Sequence, residues 1–129
     1  MRLIFIVLAF FLSISVANSA DTEKQIRYIL IEAPCKPEFN ALKEYSQKVI
    51  VTKVFKAEFE NAFEMVNAES DLIVAFEVAL EKEYPNSRNQ VKDILVYMLN
   101  TEKEAKELYS RKLKQFKTLN TGVIEFKVK

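Results

Sequence analysis

The longest regular apolar pattern in the chain runs from Phe55 to Leu80, and it constrains the fold more than any other feature. Its large apolar side chains recur every three or four residues, the spacing of one face of an α-helix. The members of this stripe are Phe55, Phe59, Phe63, Val66, Ile73, Phe76 and Leu80. We therefore expect residues 53–84 to form one helix, or two that divide between residues 67 and 71. Residues 72–80 are apolar nearly all round, which predicts a central helix covered on several sides.

Two further segments show helical signals. From Glu38, the apolar positions 39, 42, 45 and 49 predict another helix, although the β-branched residues near its end weaken this interpretation. Ser87 and Gln90 have the spacing of a capping box and predict the start of a long helix. That helix is expected to end before Gly122, the single glycine of the chain, in the position of a left-handed residue that stops a helix.

Two apolar segments carry other patterns. Residues 26–31 form a short apolar run that periodicity does not assign to helix or strand, and Pro34 and Pro37 interrupt the chain after it. Residues 123–129 alternate apolar and charged side chains, as in a strand. We expect an extended tail packed on the helices, with pairing to residues 28–31 as the alternative. The predicted fold is all-α: a small bundle of three to four main helices with an extended or β-like C-terminal tail.

The N-terminus has the three-part layout of a secretory signal peptide. Arg2 precedes an apolar run over residues 3–12, and the small residues Ala17 and Ser19 stand at the −3 and −1 positions of a cut after residue 19. The run is too short to cross a hydrocarbon layer of ~30 Å comfortably. We therefore predict that residues 1–19 are removed. Residues 20–129 are then a single secreted, extracellular domain without a membrane span.

The residue types that the chain lacks argue against most familiar catalytic sites. It has no histidine, which is the commonest general base and metal ligand, and one glycine is too few for a phosphate-binding loop. Removal of Arg2 with the signal peptide leaves 18 basic and 18 acidic residues, a balance that disfavours nucleic-acid binding. We expect a protein that is not an enzyme and has no catalytic residues, metal site or cofactor.

Cys35 is the only cysteine, and it stands between two prolines. In an oxidising compartment a lone cysteine forms a disulfide with another chain, stays free because it is buried, or is capped. The first alternative predicts a disulfide-linked homodimer. The second makes the thiol a part of the core.

Two other groups of side chains are candidate binding residues. Large apolar side chains of the main stripe could wall a pocket for a lipid-like ligand, with simple core packing as the alternative: Phe55, Phe59, Phe63, Ile73 and Phe76. Three lysines near the C-terminus could form a basic face for an anionic partner: Lys112, Lys114 and Lys117. The alternative for these lysines is attraction to the acidic residues 57–83 on a neighbouring helix.

Elimination leaves recognition as the expected function. We predict a secreted, non-enzymatic helical protein that binds another extracellular macromolecule through an exposed helical face. The first alternative is a carrier of a small apolar ligand in the helical core. The second is a structural homodimer linked through Cys35.

Overall fold

The computed structural model describes residues 23–128, and it contains a five-stranded sheet. The strands are β1 (Gln25–Pro34), β2 (Lys48–Thr52), β3 (Phe55–Phe59), β4 (Leu95–Leu99) and β5 (Gly122–Phe126). The helices are α1 (Ala62–Val66), α2 (Ala68–Glu83) and α3 (Glu102–Thr118), with a 3-10 turn over Ser87–Asn89. The prediction of an all-α helical bundle is therefore wrong.

β1 is the central strand and is paired along both of its edges. On one side it runs antiparallel to β4, with Leu30 opposite Tyr97. On the other side it pairs antiparallel first with β3 and then with β2, so that Ile29 faces Phe55 and Ala33 faces Ile50. β5 extends the sheet by pairing in parallel with β2. The apolar run that periodicity left unassigned is thus the strand around which the sheet is built.

Helices cover both faces of this sheet. On one face, Phe76 and Leu80 of α2 pack in a cluster with Ile29 and Ile31. On the other face, Phe116 of α3 packs in a second cluster that includes Leu30. Because alternate residues of a strand point to opposite faces, a strand covered on both sides is apolar at almost every position. This explains why β1 has no clear alternation of apolar and polar residues.

The helix predicted from Glu38 is wrong. Residues 38–47 form turns and bends, and Phe39 is buried from within this loop. Val49, the last member of the assumed helical stripe, belongs to β2. The β-branched side chains of β2 fit the surface of a sheet better than that of a helix.

The stripe from Phe55 to Leu80 also divides differently from the prediction. Phe55 and Phe59 lie in β3, where a spacing of four again places side chains on one face, because the period of a strand is two. The expected division near residue 67 does occur, since Asn67 separates α1 from α2. α2 is covered on one side only, and 56% of Val74 is exposed.

The long helix predicted from Ser87 is replaced by the 3-10 turn, β4 and α3. The capping box lies instead at the start of α3, where Thr101 Oγ1 accepts from Glu104 N at 3.1 Å and Thr101 N donates to Glu104 Oε1 at 3.2 Å. Gly122 does not end a helix. Asn120 takes the left-handed conformation after α3, with φ of 55°, and Gly122 opens β5.

The C-terminal segment forms a strand, but its partner is β2 and not residues 28–31. Within residues 23–128, no helix has the length and apolar character that a membrane crossing requires. The predicted signal peptide, residues 1–19, lies outside the residues that the structure describes.

Candidate functional site

The candidate site is an apolar groove between α2 and the sheet, here called the α2 groove. Its volume is about 590 Å³, which lies within the range of about 300–1,000 Å³ found for small-molecule sites. The residues that line it are Ile31, Phe55, Leu72, Ala75, Phe76, Val78, Ala79, Lys82, Glu83, Phe126, Lys127 and Val128. Most of these side chains are apolar, so the groove is suited to an apolar ligand.

Pairing at one corner of the sheet positions the two walls of the groove. Thr52 at the end of β2 lies opposite Phe126, and Lys53 N donates to Phe126 O at 3.2 Å. The chain after β5 therefore runs beside the junction of β2 and β3, where Phe55 begins the next strand. Phe76 of α2 packs edge-on against Phe126, with ring centroids 5.6 Å apart. This aromatic contact fixes the helix against the strand and bounds the groove.

The helix wall of the groove follows from the spacing of α2. Leu72, Ala75, Ala79 and Lys82 are three or four residues apart and lie along one flank of the helix. Two of these positions are alanine, and their small side chains leave space between the helix and the sheet. The space at the groove therefore depends on small residues at a helix flank.

Charged residues lie at the edge of the α2 groove. Lys82, Glu83 and Lys127 are exposed side chains among its lining residues. Within the described part of the chain, neither lysine forms a salt bridge. The two lysines outnumber the single glutamate, so the local charge favours an anionic group beside an apolar one.

The structure brings only part of the predicted phenylalanine pocket together. Phe55 and Phe76 line the α2 groove, but Phe59, Phe63 and Ile73 do not. Phe59 is buried at the far end of β3, and Phe63 on α1 is 77% exposed. The groove residues that sequence reasoning missed include Phe126 and Val128. Their position depends on the pairing of β5 with β2, which has no local sequence signal.

The predicted basic face is not a single surface. Lys114 and Lys117 are exposed on α3, but Lys112 turns toward the sheet. Its Nζ lies 3.0 Å from Glu32 Oε1 and donates to Tyr97 Oη at 3.0 Å. Partial burial by itself lowers the pKa of Lys112, but the contacts with Tyr97 and Glu32 outweigh burial and raise it.

A second polar contact joins α3 to the sheet one turn away. The Tyr109 hydroxyl donates a hydrogen bond to Glu125 on β5. Burial of the hydroxyl, this hydrogen bond and the negative charge of Glu125 together raise the pKa of Tyr109 to about 12. Val51 of β2 lies between the two glutamates in the sheet, with Glu32 as its neighbour on β1 and Glu125 as its neighbour on β5. None of these polar residues lines the α2 groove. They attach α3 to the sheet, and we assign them a structural role.

Cys35 lies in the core, with 7% of its surface exposed. Burial raises the pKa of its thiol to about 11, although the charge of Lys48 acts in the opposite direction. The thiol donates a weak hydrogen bond to the carbonyl oxygen of Ala33, with Sγ and O 3.9 Å apart. A disulfide with a second chain stays a prediction, and it would require this segment to open and expose the thiol.

Comparison with protein-family models, with curated proteins and with solved structures finds no match to this chain. Among residues 23–128, no three cysteine, aspartate or glutamate side chains are grouped so that they could hold a metal ion.

Proposed function

We propose that this protein is a secreted, non-enzymatic binding protein whose site is the α2 groove. The proposed ligand is a small amphipathic molecule with an acyl chain and an anionic head group. The observation that carries this proposal is the groove itself, an apolar space of about 590 Å³ beside two lysines that lack ion-pair partners in the described part of the chain.

The apolar lining supports the acyl chain. Phe55 is a partly exposed aromatic side chain of the lining, beside the buried rings of Phe76 and Phe126. Burial of a methylene group contributes about 0.8 kcal/mol. Affinity should therefore rise with the length of the chain until the groove is filled. Lys82 and Lys127 support the anionic head group, because an opposite charge near them is favoured.

Two ligands with chains of equal length test both parts of the proposal. Laurate has an anionic head group, and dodecyltrimethylammonium has a cationic one. We expect laurate to bind in a calorimetric titration and in native mass spectrometry, with clearly weaker binding of the cation. Absence of laurate binding would contradict the proposal. Equal affinities for the two ligands would mean that the lysines do not select an anionic head group.

A matched pair of variants locates the site. Ala75 lines the groove and Val74, its neighbour on the helix, does not. Ala75→Trp should fill part of the groove and abolish laurate binding, whereas Val74→Trp should leave it unchanged. Both positions are exposed, so both variants should fold. Equal loss in the two variants would place the ligand elsewhere.

The secretion part of the proposal rests on the sequence of residues 1–19. When the full chain is expressed in the type of cell that naturally produces it, the medium should contain a protein whose mass matches residues 20–129. Retention of the uncleaved chain in the cell would contradict secretion without affecting the laurate measurement.

A second candidate function, recognition of an extracellular protein, is favoured by exposed apolar side chains outside the groove. Phe63 and Val66 on α1 and Val74 on α2 are large apolar residues on the surface. Labelled protein should then bind cell surfaces saturably, and Phe63→Ser with Val66→Ser should abolish that binding. Ala75→Trp should not change it, which separates this function from ligand binding in the groove.

A further inference from the structure

The outer edge of β4 has the features of a strand that pairs with another chain. In residues 23–128, β4 pairs with β1 alone, so its other side has no strand partner. Its sequence, Leu95 to Leu99, is LVYML and has no charge, proline or glycine. Natural edge strands are usually protected by such residues, because unpaired backbone groups attract further strands.

The direction of the backbone groups follows from the neighbouring strand. Ile31 N donates to Thr52 Oγ1 at 2.9 Å, so the backbone of Ile31 points toward β2. Opposite Ile31 is Val96, and opposite Ile29 is Met98. In an antiparallel pair, residues that do not bond to each other direct their N–H and C=O groups away from the shared side. Val96 and Met98 therefore present four backbone groups along the free edge.

We propose that β4 pairs antiparallel with β4 of a second copy of this chain, which joins two sheets across a two-fold axis at Tyr97. Val96 of each copy then lies opposite Met98 of the other copy. The two residues of each such pair exchange backbone hydrogen bonds. Leu95 lies opposite Leu99 of the second copy. Such an interface is self-complementary, as two-fold symmetry requires.

The charges beside β4 favour this antiparallel arrangement. Lys92 and Asp93 precede the strand, and Glu102 and Lys103 follow it. With Tyr97 on the two-fold axis, antiparallel pairing places Lys92 at the position opposite Glu102 of the second copy. Parallel pairing in register would instead place each charged residue beside the same residue of the second copy, and like charges repel. The same complementarity occurs twice in the symmetric dimer.

This interface is independent of the α2 groove and of Cys35. β4 lies on the opposite side of β1 from β2, β3 and β5, so the groove stays open in the dimer. The thiol takes no part in the pairing. Laurate binding and self-association can therefore fail or succeed separately.

Sedimentation equilibrium of the purified protein, with reductant, tests the pairing. We expect a reversible dimer, and we expect Leu95→Lys to weaken it by about tenfold or more, because a charge would face an apolar side chain. Leu95 is 44% exposed, so the variant should fold. Val74→Lys is the control, since it places the same charge on an exposed apolar position of α2, and it should leave the dimer unchanged.

Amide hydrogen exchange gives a second, local measurement. The N–H groups of Val96 and Met98 should exchange slowly at concentrations where the dimer forms and faster in Leu95→Lys. A monomer at every concentration reached would overturn the proposal. So would a dimer that Leu95→Lys leaves intact, or one in which the amides of Val96 and Met98 gain no protection.

Discussion

Lys112 Nζ lies 3.0 Å from Glu32 Oε1, and this ion pair joins α3 to the central strand of the sheet. The Glu32 side chain is only 10% exposed, and within residues 23–128 no other donor satisfies its Oε1 atom. A charge in such a place is costly when its partner is removed.

Lys112→Met should therefore lower the free energy of unfolding by about 2–4 kcal/mol, because it leaves the Glu32 carboxylate buried and unpaired. Replacing both residues, as Glu32→Leu with Lys112→Met, should recover most of this loss. Urea denaturation measures both effects. Lys106→Met is the control, because Lys106 pairs with Glu102 on the exposed surface, and it should change stability by about 0.5 kcal/mol or less. Equal losses in the two single variants would contradict this assignment.

Gly122 should be intolerant of a side chain. A Cβ atom at this position would lie 2.7 and 2.8 Å from two ring atoms of Tyr45, closer than van der Waals contact allows. We expect Gly122→Ala to lower the free energy of unfolding by about 1–3 kcal/mol through overpacking. Asn120→Gly should keep or raise stability, because position 120 has the left-handed conformation that glycine prefers. The opposite ranking of the two variants would contradict the close approach of the Tyr45 ring to position 122.

Alanine substitution should change stability differently at Thr101 and at Ser87, the first residues of the two capping-box spacings. Thr101→Ala removes the cap of α3 and should lower stability by about 1 kcal/mol. Ser87 Oγ is buried and has no hydrogen-bond partner among the described residues. Ser87→Ala should therefore leave stability unchanged or raise it by up to about 1 kcal/mol. A thermal or urea unfolding curve of each variant checks the difference, and a clear loss in Ser87→Ala would show that its hydroxyl has a partner.

Stability should decrease in alkaline solution, in part through Cys35. Burial raises the pKa of the folded-state thiol to about 11 from an ordinary value of 9.0. The folded protein therefore holds this proton more tightly than the unfolded chain, and the benefit is complete below pH 9 and lost as the pH rises through 11. The contribution is about 3 kcal/mol. Cys35→Val should show a smaller decrease than the wild type between pH 9 and 11, and identical decreases would contradict the role of the thiol.

The apolar spacing predicted part of the core but not the secondary structure that carries it. Phe59, Phe76 and Leu80 are in the core, but Phe63 and Val66 of the same stripe are exposed, and Phe59 belongs to a strand. A spacing of four is a whole number of strand periods and close to one helical turn, so it does not separate the two. The β-branched run of β2 was the local sign of a strand, and the helical spacing from Phe39 concealed it.

The pairing of strands far apart in the chain was not predictable from local patterns. β2 and β5 are joined by the pairing of Lys48 with Gly122, and the sequence between them carries no signal of that register. The α2 groove depends on this pairing through Phe126. Sequence reasoning therefore identified Phe55 and Phe76 as candidate residues but did not identify the wall opposite them.

The parallel pairing of β5 with β2 also determines when this domain can fold during synthesis. Ile50 in β2 is fully buried, and its neighbour across the pairing is Ile124. Until residues 122–126 have left the ribosome, β2 has an open edge and part of its apolar surface is uncovered. Contacts between distant segments also form slowly. The nascent chain therefore has an incomplete sheet until residue 126 has been translated, and a chaperone that binds extended apolar segments would have β2 as its target.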